Sequence, residues 1–259
     1  MEKQRAQLHP TEMKIKKILF CIATNGKKVN KTNYLIKSIL SNKSDVEISI
    51  NLCGCTENFK EKDCLKLINA KEDAEAGMLS KLRSIASKGE EADIFVFVDD
   101  DFIFPTDWIS RLKNYTSKKK WDILGNRILL PNGGRFWDRC TRKPQHRMVD
   151  YSHDEKDEML YQTGGFWVIS SECFNSLKWD ESIPINADRK GFPYNEDVDM
   201  SIRAYKSGYK ISFDKNNVVW HNDLSYIQIG TGISRVMADP KFYPFCKKFL
   251  NTIKLIQKE

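Results

Sequence analysis

Apolar residues in this chain come in short blocks that switch between two repeats. Residues 18–24 and 94–98 are nearly continuous apolar runs, the second reading Ile-Phe-Val-Phe-Val. Short runs rich in β-branched and aromatic residues predict strands buried on both faces, as inside a parallel sheet. Val46, Ile48, Ile50 and Leu52 alternate strictly and predict another strand. Between these blocks the repeat becomes helical: Leu35, Ile36, Ile39 and Leu40 predict a helix over 31–41, and Leu79, Leu82, Ile85 and Ala86 one that runs up to Gly89. A β-α-β-α-β succession of this kind calls for a single α/β domain, with a mixed, mostly parallel central sheet flanked by helices.

Further along, Pro105 and Thr106 open a helix with Trp108, Ile109, Leu112 and Tyr115 on one face and Thr106 as its expected cap. Residues 121–130 read as a strand. From 131 to 161 periodicity disappears among Arg, Asp, His and Gly, with Trp137 in their midst, and a segment of that length predicts a functional loop or a mobile lid. Gly164 and Gly165 lead into a strand over 166–169, and Cys173, Phe174 and Leu177 predict a short helix. After a loop over 180–194, Asn195 starts a helix with Val198, Ile202 and Tyr205 on one face and Gly208 as its stop. Two short strands, 209–213 and 218–221, follow. Residues 1–14 read as a flexible leader, 15–224 as the folded domain and 225–259 as a C-terminal helical extension.

The strand over 94–98 ends in three carboxylates, Asp99, Asp100 and Asp101. Adjacent acids repel one another, and leaving water costs each of them several kcal/mol unless a cation or hydrogen-bond donors compensate. Ligands of open α/β sheets sit beyond the carboxyl ends of the strands, where these acids fall, so a divalent metal is expected there. Glu196 and Asp197 at a helix start and His221 at the end of a late strand converge on the same place if the strands are parallel and in register. Carboxylates with one imidazole suit Mn2+ or Mg2+ in an octahedral shell completed by water and phosphate oxygens, which predicts a nucleoside diphosphate as ligand.

Three motifs in this order resemble the glycosyltransferases of the GT-A fold, particularly the inverting family 2 enzymes and the β-1,4-galactosyltransferase group. They are Phe97-Val98-Asp99-Asp100-Asp101, similar to the Asp-x-Asp motif; Gly164-Gly165-Phe166; and Asn195-Glu196-Asp197-Val198-Asp199. The resemblance covers roughly residues 17–223. It implies that Asp99 approaches the ribose and metal-bound water, and that Asp101 ligates the metal with His221 as the last ligand. It also implies Asp197 as catalytic base, Glu196 as an acceptor-orienting carboxylate, and Gly164, Gly165, Phe166 and Trp167 as the acceptor segment. Thr24, Asn25, Asp100, Lys81 and Arg83 are the further residues expected near the nucleotide. The family commonly places an Asp at the end of the second strand to read the base; here Leu52-Cys53-Gly54-Cys55-Thr56-Glu57 stands there, with Glu57 as the substitute.

The implied reaction is metal-dependent, inverting transfer of a hexose or N-acetylhexosamine from a nucleotide-sugar donor, UDP-sugar foremost. The implied acceptor is a saccharide hydroxyl in a surface polysaccharide or glycolipid. Two rival readings are phosphotransfer on Asp99 and a non-catalytic nucleotide-sugar or carbohydrate binder. The first lacks the small hydroxylated residue it needs after the acids, since Phe102-Ile103-Phe104 follows.

Composition adds little against this picture. The chain has 259 residues and a formal charge of +7, with basic clusters at 14–17 and 118–120 that offer a peripheral contact with an anionic membrane. No recognition motif accompanies that charge, so nucleic acid is not an expected partner. Seven cysteines lack any Cys-x-x-Cys spacing, which argues against a disulfide framework or a zinc site. No apolar run approaches a membrane span, and the expected location is the cytoplasm or the inner face of its membrane.

Overall fold

In the computed structural model, which describes residues 13–142, 146–163, 165–185, 190 and 194–222, the N-terminal half repeats a strand and helix unit. β1 (Lys17–Thr24) leads into α1 (Val29–Leu40), β2 (Glu47–Gly54) and β3 (Leu65–Asn69); α2 (Lys71–Glu75), α3 (Leu79–Ser87) and β4 (Ile94–Asp99) follow. The second half begins with β5 (Phe102–Ile103), α4 (Trp108–Thr116) and β6 (Ile123–Leu129), then β7 (Arg139–Thr141), β8 (Arg147–Met148) and β9 (Leu160–Gln162). It continues with β10 (Phe166–Ser170), α5 (Ser171–Leu177), α6 (Glu196–Lys206) and β11 (Ile211–His221).

The large sheet has the order β3-β2-β1-β4-β10-β6-β11-β5. β3, β2, β1 and β4 run parallel, β10 runs against both of its neighbours, β6 and β11 are parallel, and β5 is antiparallel to β11. The sheet is therefore mixed and mostly parallel, as expected. A small antiparallel sheet, β8-β7-β9, stands apart.

The continuous apolar pattern of β4 has its reason in two cores. Ile94, Val96 and Val98 face a layer with Leu35 and Ile39 of α1 and Trp108, Ile109 and Leu112 of α4. Phe95 and Phe97 face the opposite layer, with Leu82 and Ala86 of α3, Phe174 of α5, and Met200 and Ala204 of α6. Each such buried side chain contributes about 1.5–3 kcal/mol of transfer free energy, so helices on both faces are required. Gly54 lets the ends of β1 and β2 close up: its φ is +128°, and a Cβ there would lie 2.0 Å from the Thr24 carbonyl oxygen.

Several elements depart from the expectations. The stretch 131–161 holds a small sheet rather than an unstructured lid, and buried Asp138 pins it, accepting from Arg135 Nε at 2.8 Å and from the Tyr151 hydroxyl at 3.0 Å. The two late strands are one strand, β11, with an irregularity between Asp214 and Val218, where buried Asn217 turns its amide to the Trp108 carbonyl at 3.1 Å. Asp107, not Thr106, precedes α4, and its carboxylate goes to Arg111 instead of capping the helix. β3, α2 and β5 lack a sequence signal long enough to announce them. The expected leader, apart from residues 13 and 14, and the C-terminal helix lie outside the described residues. The six described cysteines are free, and no helix among the described residues is long and apolar enough to cross a membrane.

Candidate active site

A cavity of about 700 Å³ opens at the carboxyl ends of the parallel strands. Parallel pairing brings its first residues together, because Ala23 of β1 lies opposite Asp99 of β4. Thr24 Oγ1 then donates to Asp100 Oδ2 at 2.6 Å, and Asn25, Asp99, Asp100 and Asp101 line the cavity beside it. Ala74, Gly77 and Leu79 form an apolar wall. Gly77 is at φ +71°, and a Cβ there would meet Ile185 Cγ2 at 2.7 Å, so a bare backbone lets Ile185 dock on this wall.

Asp101 and His221 are brought together by the two-residue strand β5, which pairs with the end of β11. β5 starts one residue after Asp101 and sets Phe102 opposite His221, and the Asn222 amide closes the end of the strand on the Asp101 carbonyl at 2.6 Å. His221 Nε2 consequently stands 3.5 Å from Asp101 Oδ1, with its ring stacked on Phe136 at 4.1 Å and edge-on to Phe102 at 5.1 Å. The other oxygen of Asp101, Oδ2, accepts from Lys28 Nζ at 2.7 Å.

These donors fit a hard divalent cation bound by few protein ligands. Two adjacent ligands of an octahedral ion with bonds of about 2.1 Å lie about 3 Å apart, close to the separation of Oδ1 and Nε2. No group of three or more such donors converges among the described residues. Asp99, expected as a further ligand, has its Oδ1 engaged by Arg83 Nη2 at 3.2 Å and its Oδ2 beside Gly165. Asp101 and His221 are thus the residues that could hold the ion, with waters and ligand oxygens completing the shell.

Arg83 is not a wall of the cavity. It is 1% exposed, lies 5.0 Å from the Trp179 ring, and bridges Asp99 and Glu196, the latter through Nη1 to Oε1 at 3.4 Å. Burial pushes the Asp99 carboxyl up to about 7, with Arg83 opposing the shift and Asp101, Asp100 and Glu196 adding to it. The same side chain is 38% exposed to cavity water, which limits how far desolvation can act on it. Asp100 is also shifted upward by burial, against the Thr24 hydrogen bond and the Lys28 charge.

Helix α6 separates the two acids at its start. Successive helical residues are turned by about 100°, so Glu196 and Asp197 cannot share a direction. Glu196 is 7% exposed and points to Arg83, while Asp197 lines the cavity. Buried Val198, Met200, Ser201 and Ala204 set this rotation by packing the helix on the sheet and on β9.

The remaining expected residues divide sharply. Gly165 lines the cavity, and a Cβ there would come 3.4 Å from Asp99 Oδ2, whereas Gly164 lies outside the described residues. Phe166 and Trp167, expected at the acceptor, are 0% exposed; Phe166 packs with Phe104 and Trp108, and Trp167 with Trp179. Both serve the two-faced core of β10. Lys81 is paired with Asp73 at 2.7 Å and Glu57 with Lys71 at 3.5 Å, and neither lines the cavity. Trp137, in contrast, is 43% exposed at the cavity, with its carbonyl held by Thr163 Oγ1 at 2.8 Å. Lys28, Phe136, Tyr161 and Asn195 line it as well. Of these Lys28 had a signal, since it follows a strand whose carboxyl end faces the ligand side of the sheet.

No protein-family model matches the sequence, and no curated protein sequence matches it. Solved structures share its fold. A crystal structure of GalNAc-T7 with UDP, GalNAc and Mn2+ aligns with a TM-score of 0.60 at 16% identity, over 81% of this chain and 44% of the other. The chain has the GT-A glycosyltransferase fold. S. aureus TarS 1-349 aligns with a TM-score of 0.56 at 14% identity, over 92% of this chain and 71% of that one. The same TarS segment in complex with UDP-GlcNAc aligns with 0.57 at 15%, over 92% and 66%. The GT-A chain described here thus spans under half the length of the GalNAc-T7 chain.

Proposed function

We propose that this protein is an inverting glycosyltransferase that moves a sugar from a nucleoside diphosphate donor, UDP-sugar foremost, to a hydroxyl of a saccharide acceptor. The observation that carries the reading is one cavity with Asp101 beside His221 at one place and Asp197 at another, on a GT-A fold. Binding of UDP, UDP-GlcNAc and Mn2+ by the structural neighbours supports the same choice of donor and metal.

The nucleoside is assigned to the wall of Thr24, Asn25, Ala74, Gly77 and Leu79. Mn2+ or Mg2+ on Asp101 and His221 would supply Lewis acidity to the departing diphosphate. Asp197 takes the proton of the acceptor hydroxyl while the acceptor oxygen bonds to the anomeric carbon and the bond from that carbon to the diphosphate oxygen breaks. Attack from the face opposite the leaving group inverts the anomeric centre. Trp137 offers an exposed indole face on which an acceptor ring can stack, a role its position supports better than that of Phe166 or Trp167. The acceptor class, a surface polysaccharide or glycolipid, and the choice between a hexose and an N-acetylhexosamine belong to the same proposal.

The test is a screen of nucleotide sugars for slow, Mn2+-dependent hydrolysis, since water replaces an absent acceptor. Asp101→Asn and His221→Ala should weaken UDP binding about tenfold to a hundredfold in Mn2+ and little in chelator. Cleavage of phosphomonoesters, or UDP binding in Mn2+ unaffected by both substitutions, would sink the reading.

A further inference from the structure

Among the described residues that line the catalytic cavity, Lys28 is the one lysine or arginine, set against the four carboxylates of Asp99, Asp100, Asp101 and Asp197. Its ammonium lies 2.7 Å from Asp101 Oδ2 and 4.0 Å from Asp100 Oδ1. Asp101 is 2% exposed, and a carboxylate buried to that degree requires a compensating cation. Lys28 supplies it.

The two partners differ in freedom. Asp101 is tied to the strand end by its carbonyl, which accepts from the Asn222 amide, and its Oδ1 stands 3.5 Å from His221 Nε2, so its carboxylate has little room to move. Lys28 stands in the turn before α1, with a side chain 37% exposed into the cavity on a flexible four-carbon stem. The ammonium can therefore leave while the carboxylate stays. An entering diphosphate meets an excess of negative charge and needs every mobile cation that the cavity holds.

We propose that Lys28 is a tethered counter-ion that holds Asp101 in the empty enzyme, yields it to a divalent cation, and then pairs with the donor diphosphate. No covalent bond changes; one ion pair is exchanged for another. The proposal rests on the metal and diphosphate reading above. It adds a direction to the coupling: occupancy of Asp101 by the cation frees a phosphate ligand, so cation and nucleotide favour each other's binding.

The experiment uses the full chain with Lys28→Met and Lys28→Arg. Mn2+ uptake without nucleotide is followed by the electron paramagnetic resonance of the free ion, and UDP binding at saturating Mn2+ by calorimetry. Lys28→Met should bind Mn2+ about tenfold more tightly, because the competing ammonium is gone, and UDP about tenfold more weakly. Lys28→Arg should move both values back toward the wild type. Should the Met variant not fold, Lys28→Gln, which keeps a hydrogen bond to Asp101, takes its place with the same two shifts expected. Equal Mn2+ affinity in wild type and Lys28→Met, or tighter Mn2+ with unchanged UDP, overturns the exchange alone. A wild type that binds UDP equally well in Mn2+ and in chelator overturns the metal reading as well.

Discussion

The halves of the sheet build their share of the cavity by different means. In the parallel half, β1, β2 and β4 all end at one edge, so Thr24, Gly54 and Asp99 come together as a consequence of strand direction alone. In the mixed half no such rule operates. Asp197 comes from a helix start, His221 from the end of β11, and Trp137, Tyr161 and Thr163 from chain around the small sheet. A nucleotide wall can be made by one repeated unit, whereas opposing a base to a leaving group needs elements that approach from other directions. On the proposed reading, the first half binds and the second half acts.

The largest effect should come from the part that acts. Asp197→Asn should lower transfer about 10² to 10⁴-fold while nucleotide-sugar affinity stays near that of the wild type. Product from an α-linked donor should be β-linked by NMR coupling. An Asp197→Asn enzyme that transfers normally, or that loses donor binding to the same extent, would erase the division between the halves.

Arg83 adds a side-chain link between halves already joined by the β4–β10 pairing, through Asp99 at the end of β4 and Glu196 at the start of α6. Arg83→Met leaves Glu196 as a buried charge without this partner and should cost about 3 kcal/mol or more in urea unfolding. Glu196→Gln should cost less, and its transfer rate should stay within about tenfold of the wild type, since Glu196 faces away from the cavity. A loss under about 1 kcal/mol for Arg83→Met would mean that strand pairing and packing hold the seam without this ion pair.

The smallest effect concerns pH. Asp99 has its carboxyl raised to about 7 in the folded chain against an ordinary value of 3.8. The folded state therefore binds this proton more tightly than the unfolded state, and the stability linked to it is full below the ordinary value and lost as pH rises through the folded one. In chelator, Asp99→Asn should gain stability relative to the wild type between about pH 4 and pH 7, as read from urea midpoints. Parallel curves for the two proteins would show that cavity water, not burial, governs this carboxyl.

Strands β1, β2 and β4 and helices α1, α3 and α6 follow the periodicity of the chain closely, because each is long enough for its burial pattern to repeat. β5 and β8, of two residues each, cannot show a period. The irregularity of β11 hides one strand behind three polar residues, Lys215, Asn216 and Asn217, of which Asn217 is fully buried. Phe166 and Trp167 show the limit on the other side. A glycine followed by aromatic residues suits a sugar platform and a two-faced core equally well, and only the helices on both faces of β10 select the core.

By itself, the sequence determined that acids end a doubly buried strand and that two more acids begin a helix, since both follow from local repeats and from the chemistry of adjacent residues. It also placed them at the carboxyl edge of an α/β sheet. Only the tertiary structure decided which acid faces which partner. Arg83 and Glu196 meet across 113 residues, and Lys28 and Asp101 across 73. His221 reaches Asp101 through a two-residue strand. Partners so far apart are chosen by helix rotation and strand register, which depend on the packing of the whole core, and no stretch of residues next to any of these side chains encodes that choice.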